Sequence, residues 1–422
     1  MLLFKHWFEK AAKQNNATAQ FFLGEIYDFG STMGVEEDNS EALKWYQLAA
    51  NQGDAYAQVA VGSMYYYGEG VEEDNLEAIQ WFRLSAAQGN SDAQFYLGQI
   101  YNFGDGVDED LIEATKWYDL AARQDHPDAQ VALGINYLNE ADYENAISWF
   151  SKAAKIGEPA AEYYMGEIFE YGYGVESNKS TALDWYKKSA SQGDFDAQFS
   201  VGRINYASNN FVEAVKWFKL AAEQGHARAQ YFLGGAYQFG EGVSKDDNSA
   251  RIWYTKAAEN GDTDAAFFLA GLYADVDKLQ QNSEKAVKWY TFAANAGDTE
   301  AQYQLGKLYA EGSLVQKDVL KSFYWYLKAA EAGQVDAQIN IGVLIHQHKI
   351  DGVDEKDAFF WTEKAAQTGS AIAQRNLGLF YEVGYGVKID YKKQCIGTNL
   401  RHPKTTWMPT TLSVRYMITV VE

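Results

Sequence analysis

The chain has a single cysteine, Cys395, in 422 residues. Without a second thiol no disulfide can form within it, so a disulfide-built framework is excluded. Proline is nearly as scarce, at four, and Pro403 and Pro409 both stand in the last twenty residues. A chain this poor in proline is free to be helical, because proline in a helix interior costs about 3 kcal/mol. No apolar run approaches the ~20 residues that span a bilayer. The opening Met1-Leu2-Leu3-Phe4-Lys5-His6-Trp7 has too short an apolar stretch for a signal peptide. A cytoplasmic protein is therefore expected from the sequence as written, with export left open because its first residues fall in the middle of a repeat. Basic residues are outnumbered: 36 Lys and Arg face 58 Asp and Glu, a net charge of -22. Such a surface repels nucleic acid and anionic membrane and favours basic partners, although acidic solvated faces are common in any case.

What is abundant is periodic. Tryptophan occurs at 7, 45, 81, 117, 149, 185, 217, 253, 289, 325 and 361, mostly 36 residues apart, with two gaps of 32 and one of 38. A second marker keeps the same register: Leu23-Gly24-Glu25-Ile26-Tyr27 returns as Leu97-Gly98-Gln99-Ile100-Tyr101, Leu233-Gly234-Gly235-Ala236-Tyr237 and Leu305-Gly306-Lys307-Leu308-Tyr309. An Ala-Gln pair precedes most copies, as in Ala57-Gln58, Ala93-Gln94 and Ala229-Gln230. Self-similarity at this period identifies a repeat architecture before any local reading.

Each unit reads as two helices. Over 93–103, Ala93, Leu97, Ile100 and Tyr101 share one helical face, with Gly98 on it. Over 113–123, Ala114, Trp117, Ala121 and Ala122 do the same. The expected packing sets large Trp against small Ala and Gly. Between the helices lies a loop such as Tyr67-Gly68-Glu69-Gly70-Val71-Glu72-Glu73-Asp74, whose glycines end the first helix in left-handed geometry and whose acids precede the next helix start. A further Gly, as in Gln52-Gly53-Asp54, ends the second helix; Asp125 stands at that place in one unit.

These residues resemble the Sel-one-like repeat, a cousin of the tetratricopeptide repeat. The resemblance spans about residues 4 to 390 and implies an all-α fold, a right-handed superhelical solenoid of about eleven helix-turn-helix repeats. The expected organisation is a partial repeat over 1–16 (a second helix without its first), one continuous solenoid over 17–391, and an atypical basic tail over 392–422. That tail carries five Lys or Arg and one acid, against 31 and 57 in the residues before it. Two units, around 137–146 and 205–214, lack the Gly-x-Gly-Val loop and read as plain tetratricopeptide turns.

Motifs with chemistry of their own are weak. Gly68-Glu69-Gly70 joins two helices and follows no strand, so it is not a nucleotide fingerprint. His346-Gln347-His348 places two imidazoles on different helix faces and reads as a surface pair rather than a metal site. Glu72-Glu73-Asp74 and Asp108-Glu109-Asp110 lack the ligand spacing of an EF-hand and read as solvated helix starts. Asn16-Ala17-Thr18 matches a glycosylation acceptor only formally. No catalytic constellation, metal site or cofactor is expected.

The resemblance implies that the first helices line a concave groove, and that the protein is a non-catalytic scaffold or adaptor for a peptide or partner protein, in bacterial signalling, envelope or host interaction. Register then places Phe21, Glu25, Asp28, Tyr66, Phe95, Asn102, Tyr163, Glu167, Glu170, Phe199, Arg203, Tyr206, Tyr231, Tyr303 and Lys307 in the groove. The aromatic members have an alternative in packing helix to helix. The inward acids carry the expectation, since no packing reason for them is visible in the sequence. A partner with basic and apolar residues fits, and self-association through uncapped ends is open. The alternatives are an envelope-glycan-binding or hydrolase-like protein with its site in the groove, or a fragment of a longer protein.

Overall fold

A computed structural model describes residues 2–30, 36–275, 280–348 and 350–398. The expected basic tail lies outside the described residues from 399 onward. Among the described residues there are 23 helices and no strand. The chain divides into two compact units, Met1–Val201 and Gly202–Glu422. Within each, helices alternate as the sequence pairs them, giving an all-α solenoid of helix-turn-helix repeats. In the first unit, α1 is Leu2–Ala12, α2 is Ala17–Asp28, α3 is Asn39–Ala50, α4 is Ala55–Tyr67, α5 is Asn75–Ala86, α6 is Ser91–Phe103 and α7 is Leu111–Ala122. The helix Tyr391–Thr398 follows the last Gly-x-Gly loop, and Asp390 caps it by accepting from the Lys392 and Lys393 N–H groups, so helix-turn-helix structure continues past residue 391.

The loop between first and second helix is built the same way each time. Gly68 ends α4 at φ +70°, its N–H bonded to the Met64 carbonyl. Asp74 then closes the turn, its N–H 2.9 Å from the Tyr65 carbonyl, while its carboxylate accepts from Leu76 and Glu77 N–H at the start of α5. The acids before the second helices are thus caps, satisfying N–H groups that the helix cannot. Gly70 has a second constraint besides its φ of +71°: a Cβ there would sit 2.5 Å from the Asn39 carbonyl carbon, at the start of the preceding repeat's second helix. At the end of α7, Asp125 holds φ +62° where most other units have glycine and Asn15 stands after α1 at φ +66°. Asp125→Gly is expected to raise stability by about 0.5–1 kcal/mol, the left-handed strain relieved being partly offset by glycine's larger unfolded-state entropy. A urea-midpoint shift to lower concentration would count against this account.

The packing glycine meets a different side chain from the one expected. A Cβ on Gly24, Gly62, Gly98 or Gly166 would lie 2.4–2.7 Å from ring atoms of Tyr46, Phe82, Tyr118 or Tyr186, the residue after each tryptophan. Those rings are buried, whereas Trp45, Trp81, Trp117 and Trp185 are half-exposed. Trp81 and Trp217 donate from their indole N–H to Glu77 and Glu213, at 3.0 Å each. Lys152 and Lys188 lie 3.7 and 3.6 Å over the Trp149 and Trp185 rings, a cation–π contact on the rim. One position further along the helix turns the side chain by about 100°, which moves Tyr or Phe onto the glycine and Trp to the edge.

The Ala-Gln pair also acquires a reason. The Gln58 amide donates to the Ala50 carbonyl at 3.2 Å, and its own Oε1 accepts from Gln88 at 2.8 Å. Gln94 donates to Ala86, and Gln124 donates to Gln94. The buried amide therefore bridges a helix end behind it and a helix end ahead, which satisfies polar groups that burial would otherwise penalise. Where Ile156 replaces the donor, Gln130 Oε1 is left unpaired. Glu162 takes the glutamine's place in one repeat and accepts from Gln192 at 2.8 Å.

Candidate partner-binding face

The first helices present two clefts in the first unit. One, of about 700 Å³, is lined by Phe21, Glu25 and Asp28 of α2, by Tyr56, Val59, Ser63 and Tyr67 of α4, and by Asp92 and Tyr96 of α6. Phe29, Glu37, Tyr46 and Glu69 close it. The other, of about 330 Å³, holds Phe95, Gln99, Asn102 and Phe103 beside Tyr118, Ile135 and Glu158. Of the residues placed in the groove by register, five meet in these clefts: Phe21, Glu25 and Asp28 in one, Phe95 and Asn102 in the other.

The rest have structural partners. Tyr66 donates to Asp105 of the next Gly-x-Gly loop at 2.6 Å, and Tyr206 does the same to Glu241 at 2.7 Å. Tyr163 donates to Glu167 at 3.1 Å and tilts against Tyr186. Phe199 and Arg203 are half-buried. The Arg228 guanidinium stacks 4.5 Å above Tyr231 and bonds Asp264 at 2.5 Å and Asp262 at 3.3 Å. Tyr303 is only 6% exposed and packs on Tyr326, so it belongs to the core and not to a groove. Lys307 lies 3.8 Å from Glu311.

Two of the inward acids have a packing reason after all. Asp28 accepts from the buried Tyr46 hydroxyl at 3.0 Å, and Glu170 from that of Tyr186 at 2.8 Å. Gln238 does the same for Tyr254. Where the buried ring is Phe82 or Phe218, with no hydroxyl, the same slot holds Tyr66 or Tyr206 and turns to the neighbouring loop. In these five repeats the slot is coupled to the ring it faces, whereas Leu138, Ala274 and Ala310 fill it elsewhere with side chains that cannot accept a hydrogen bond. The histidine pair also differs from a surface pair: the His346 ring packs edge-on to Tyr385 at 4.5 Å. Burial and nearby Lys317 hold the His348 imidazole below its usual range.

Glu25 is the inward acid of this cleft without such a bond. Burial, then repulsion from Asp28, pushes its carboxyl above the ordinary value of 4.5. Burial likewise raises Asp28, against the lowering effect of the Tyr46 hydrogen bond, with Glu37 adding to the rise. Asp92 goes the other way, lowered chiefly by its bond to His126. Tyr67 is pushed up to about 12 by burial and by its neighbours Tyr96 and Glu69. No Lys or Arg lines this cleft.

Register alone missed Tyr56, Tyr67, Tyr96, Glu37 and Glu69. A signal was available: the first helix ends on Tyr67, Phe103, Tyr171 or Phe239 in four units and is followed directly by Phe29 in a fifth, each more than half exposed. An aromatic repeatedly placed in water has no core role to explain it.

Among the described residues no group of His, Cys, Asp and Glu is arranged to hold a metal ion, and no helix is long and apolar enough to cross a membrane. A family model described as the Sel1 repeat matches consecutive segments from 5–16 through 371–393, passing over only residue 195 between them. A protective antigen of uropathogenic Escherichia coli with an SLR fold is 34% identical, with a TM-score of 0.69, over 93% of this chain and 85% of that one. A Sel1 repeat protein from Oxalobacter formigenes is 28% identical over 65% of this chain and 96% of its own, with a TM-score of 0.41. No curated protein matches.

Proposed function

The chain belongs to the Sel1 repeat family, and from that premise we propose that it is a non-catalytic scaffold that binds an extended segment of a partner protein along its first helices. The observation that supports this reading is the larger cleft of the first unit: exposed aromatic rings and uncompensated carboxylates open to solvent together. Aromatic faces supply apolar anchoring and the acids select basic residues. The description of the Escherichia coli relative as a protective antigen favours host interaction among the possible settings. A glycan-binding or hydrolytic site is the second reading, favoured by the raised carboxyls of Glu25 and Asp28 in one cleft.

The test reverses charge only where no buried tyrosine depends on it. Glu25→Lys with Glu69→Lys leaves the Asp28–Tyr46 bond in place. Affinity for the partner is expected to fall at least about a hundredfold, as two charged contacts at ~1.5 kcal/mol or more each would dictate, and capture from native lysate should be lost accordingly. Helical content by circular dichroism should not change. An identical partner set at equal yield would remove the cleft from the function.

A further inference from the structure

Resting on that reading, we propose that the larger cleft is a pocket for one arginine side chain of the bound segment. The second unit contains the same chemistry already assembled within the chain. There the Arg228 guanidinium carbon sits over the Tyr231 ring, 4.5 Å from its centroid, and one nitrogen, Nη1, donates to both Asp264 and Asp262 at the start of the following repeat. By repeat register, Asp92 occupies the place of Asp264, and Tyr56 that of Arg228. By the same register Val59 stands for Tyr231 and Asn90 for Asp262, so the first-unit cleft keeps one of the two acids, takes its rings instead from Tyr56, Tyr67 and Tyr96, and supplies no guanidinium from its own lining.

The geometry favours a flat cation over a compact one. Tyr56 is 66% and Tyr67 is 55% exposed, so both offer faces to an incoming group. Tyr67 stands edge-on to Tyr96 at 6.5 Å, and Phe21 tilts against Tyr56 at 6.3 Å. A planar guanidinium can both stack on such rings and fork onto carboxylates, whereas an ammonium, which this chain does place over Trp149 and Trp185, meets a ring as a hydrated point charge and cannot fork. Glu25 and Glu69 are the carboxylates best free to accept it, because Asp28 is bonded to Tyr46 and Asp92 to His126. A cleft of about 700 Å³ takes the whole side chain together with the backbone around it. A neutral sugar would leave the cluster of acids uncompensated, and an acidic one would be repelled.

The experiment is calorimetric titration of the full chain with acetyl-Leu-Ala-Arg-Ala-Leu-amide, and with the same peptide carrying lysine or citrulline in place of arginine. Citrulline keeps the shape and removes the charge. Arginine is expected to bind several-fold more tightly than lysine and roughly tenfold more tightly than citrulline. Glu25→Gln with Glu69→Gln should bring arginine down to the citrulline level while leaving citrulline unchanged.

The pH profile is a second readout. The titratable groups that line the cleft with Glu25 are Asp28 on its own helix and Glu37, Glu69, Asp92, Tyr46, Tyr56, Tyr67 and Tyr96 from the elements around it. A bound cation favours ionised Glu25, whose free pKa lies above 4.5. Arginine affinity should therefore be full above that pKa and decline as pH falls through it, with citrulline flat. Equal binding of citrulline, or lysine equal to arginine, overturns the proposal. If no peptide binds while Glu25→Lys with Glu69→Lys still abolishes partner capture, the arginine pocket falls and the scaffold reading stands. If arginine binds as described and capture is untouched, the pocket stands and the scaffold role of this cleft falls.

Discussion

Gly234→Ala is expected to destabilise the protein, and Gly235→Ala, one residue along the same helix, to stabilise it. Both glycines lie inside the helix Ala227–Phe239, where alanine is intrinsically better by about 1 kcal/mol. At Gly235 the new methyl would find only the Tyr254 hydroxyl, 3.5 Å away, an ordinary contact. The intrinsic gain should survive there, at about 0.5–1 kcal/mol. At Gly234 the methyl would lie 2.6 and 2.8 Å from two carbons of the Tyr254 ring. That ring is 1% exposed and also stacks on Phe268, so it has nowhere to go without displacing a neighbour. Overpacking of this kind costs about 1–3 kcal/mol, which outweighs the propensity gain. Urea midpoints of the two variants should move in opposite directions. Movement in the same direction would mean that Gly234 is kept for its backbone and not for the ring above it.

Tyr254→Ala is expected to be the more severe change, at about 3–5 kcal/mol, because it removes a fully buried aromatic from a close-packed site. Tyr254→Phe should cost only about 1 kcal/mol, the value of the hydroxyl's 2.8 Å bond to Gln238. The two sites are also coupled. A methyl on Gly234 projects into the volume that Tyr254→Ala vacates, so the double variant should be less destabilised than the sum of the singles. Strict additivity in that cycle would show that the glycine and the ring do not share the space. Because an array is held together by nearest-neighbour contacts, the loss at one interface should also broaden the unfolding transition of the whole chain.

The Tyr254 site shows what register cannot read. The period of the tryptophans announced a repeat, and the glycine in the first helix announced a close approach. The partner in that approach was not legible, because two adjacent aromatics in Trp45-Tyr46 or Trp253-Tyr254 are equally large in one dimension. Their roles separate only once the angle between two helices is known. Asp28 and Glu170 posed the same difficulty. Each is an acid on an inward face, and nothing local reveals a tyrosine hydroxyl 16 to 18 residues away. Glu25, Phe21 and Phe95 do line clefts, because a side chain's face on its own helix follows from helical geometry alone.

The sequence by itself determined the helical class, the two-helix unit, the loop glycines and the capping acids. All of these follow from local rules that recur every 36 residues: backbone conformation at glycine, orphan N–H groups at helix starts, and one apolar stripe per helix. Tertiary structure alone decided which aromatic fills the glycine notch, how the buried glutamines link successive repeats, and which inward acids serve a tyrosine. It also decided which acids are left facing solvent beside exposed rings. Those outcomes depend on distances between side chains from different helices, set by how each helix lies on the next, and a linear pattern carries no information about that angle.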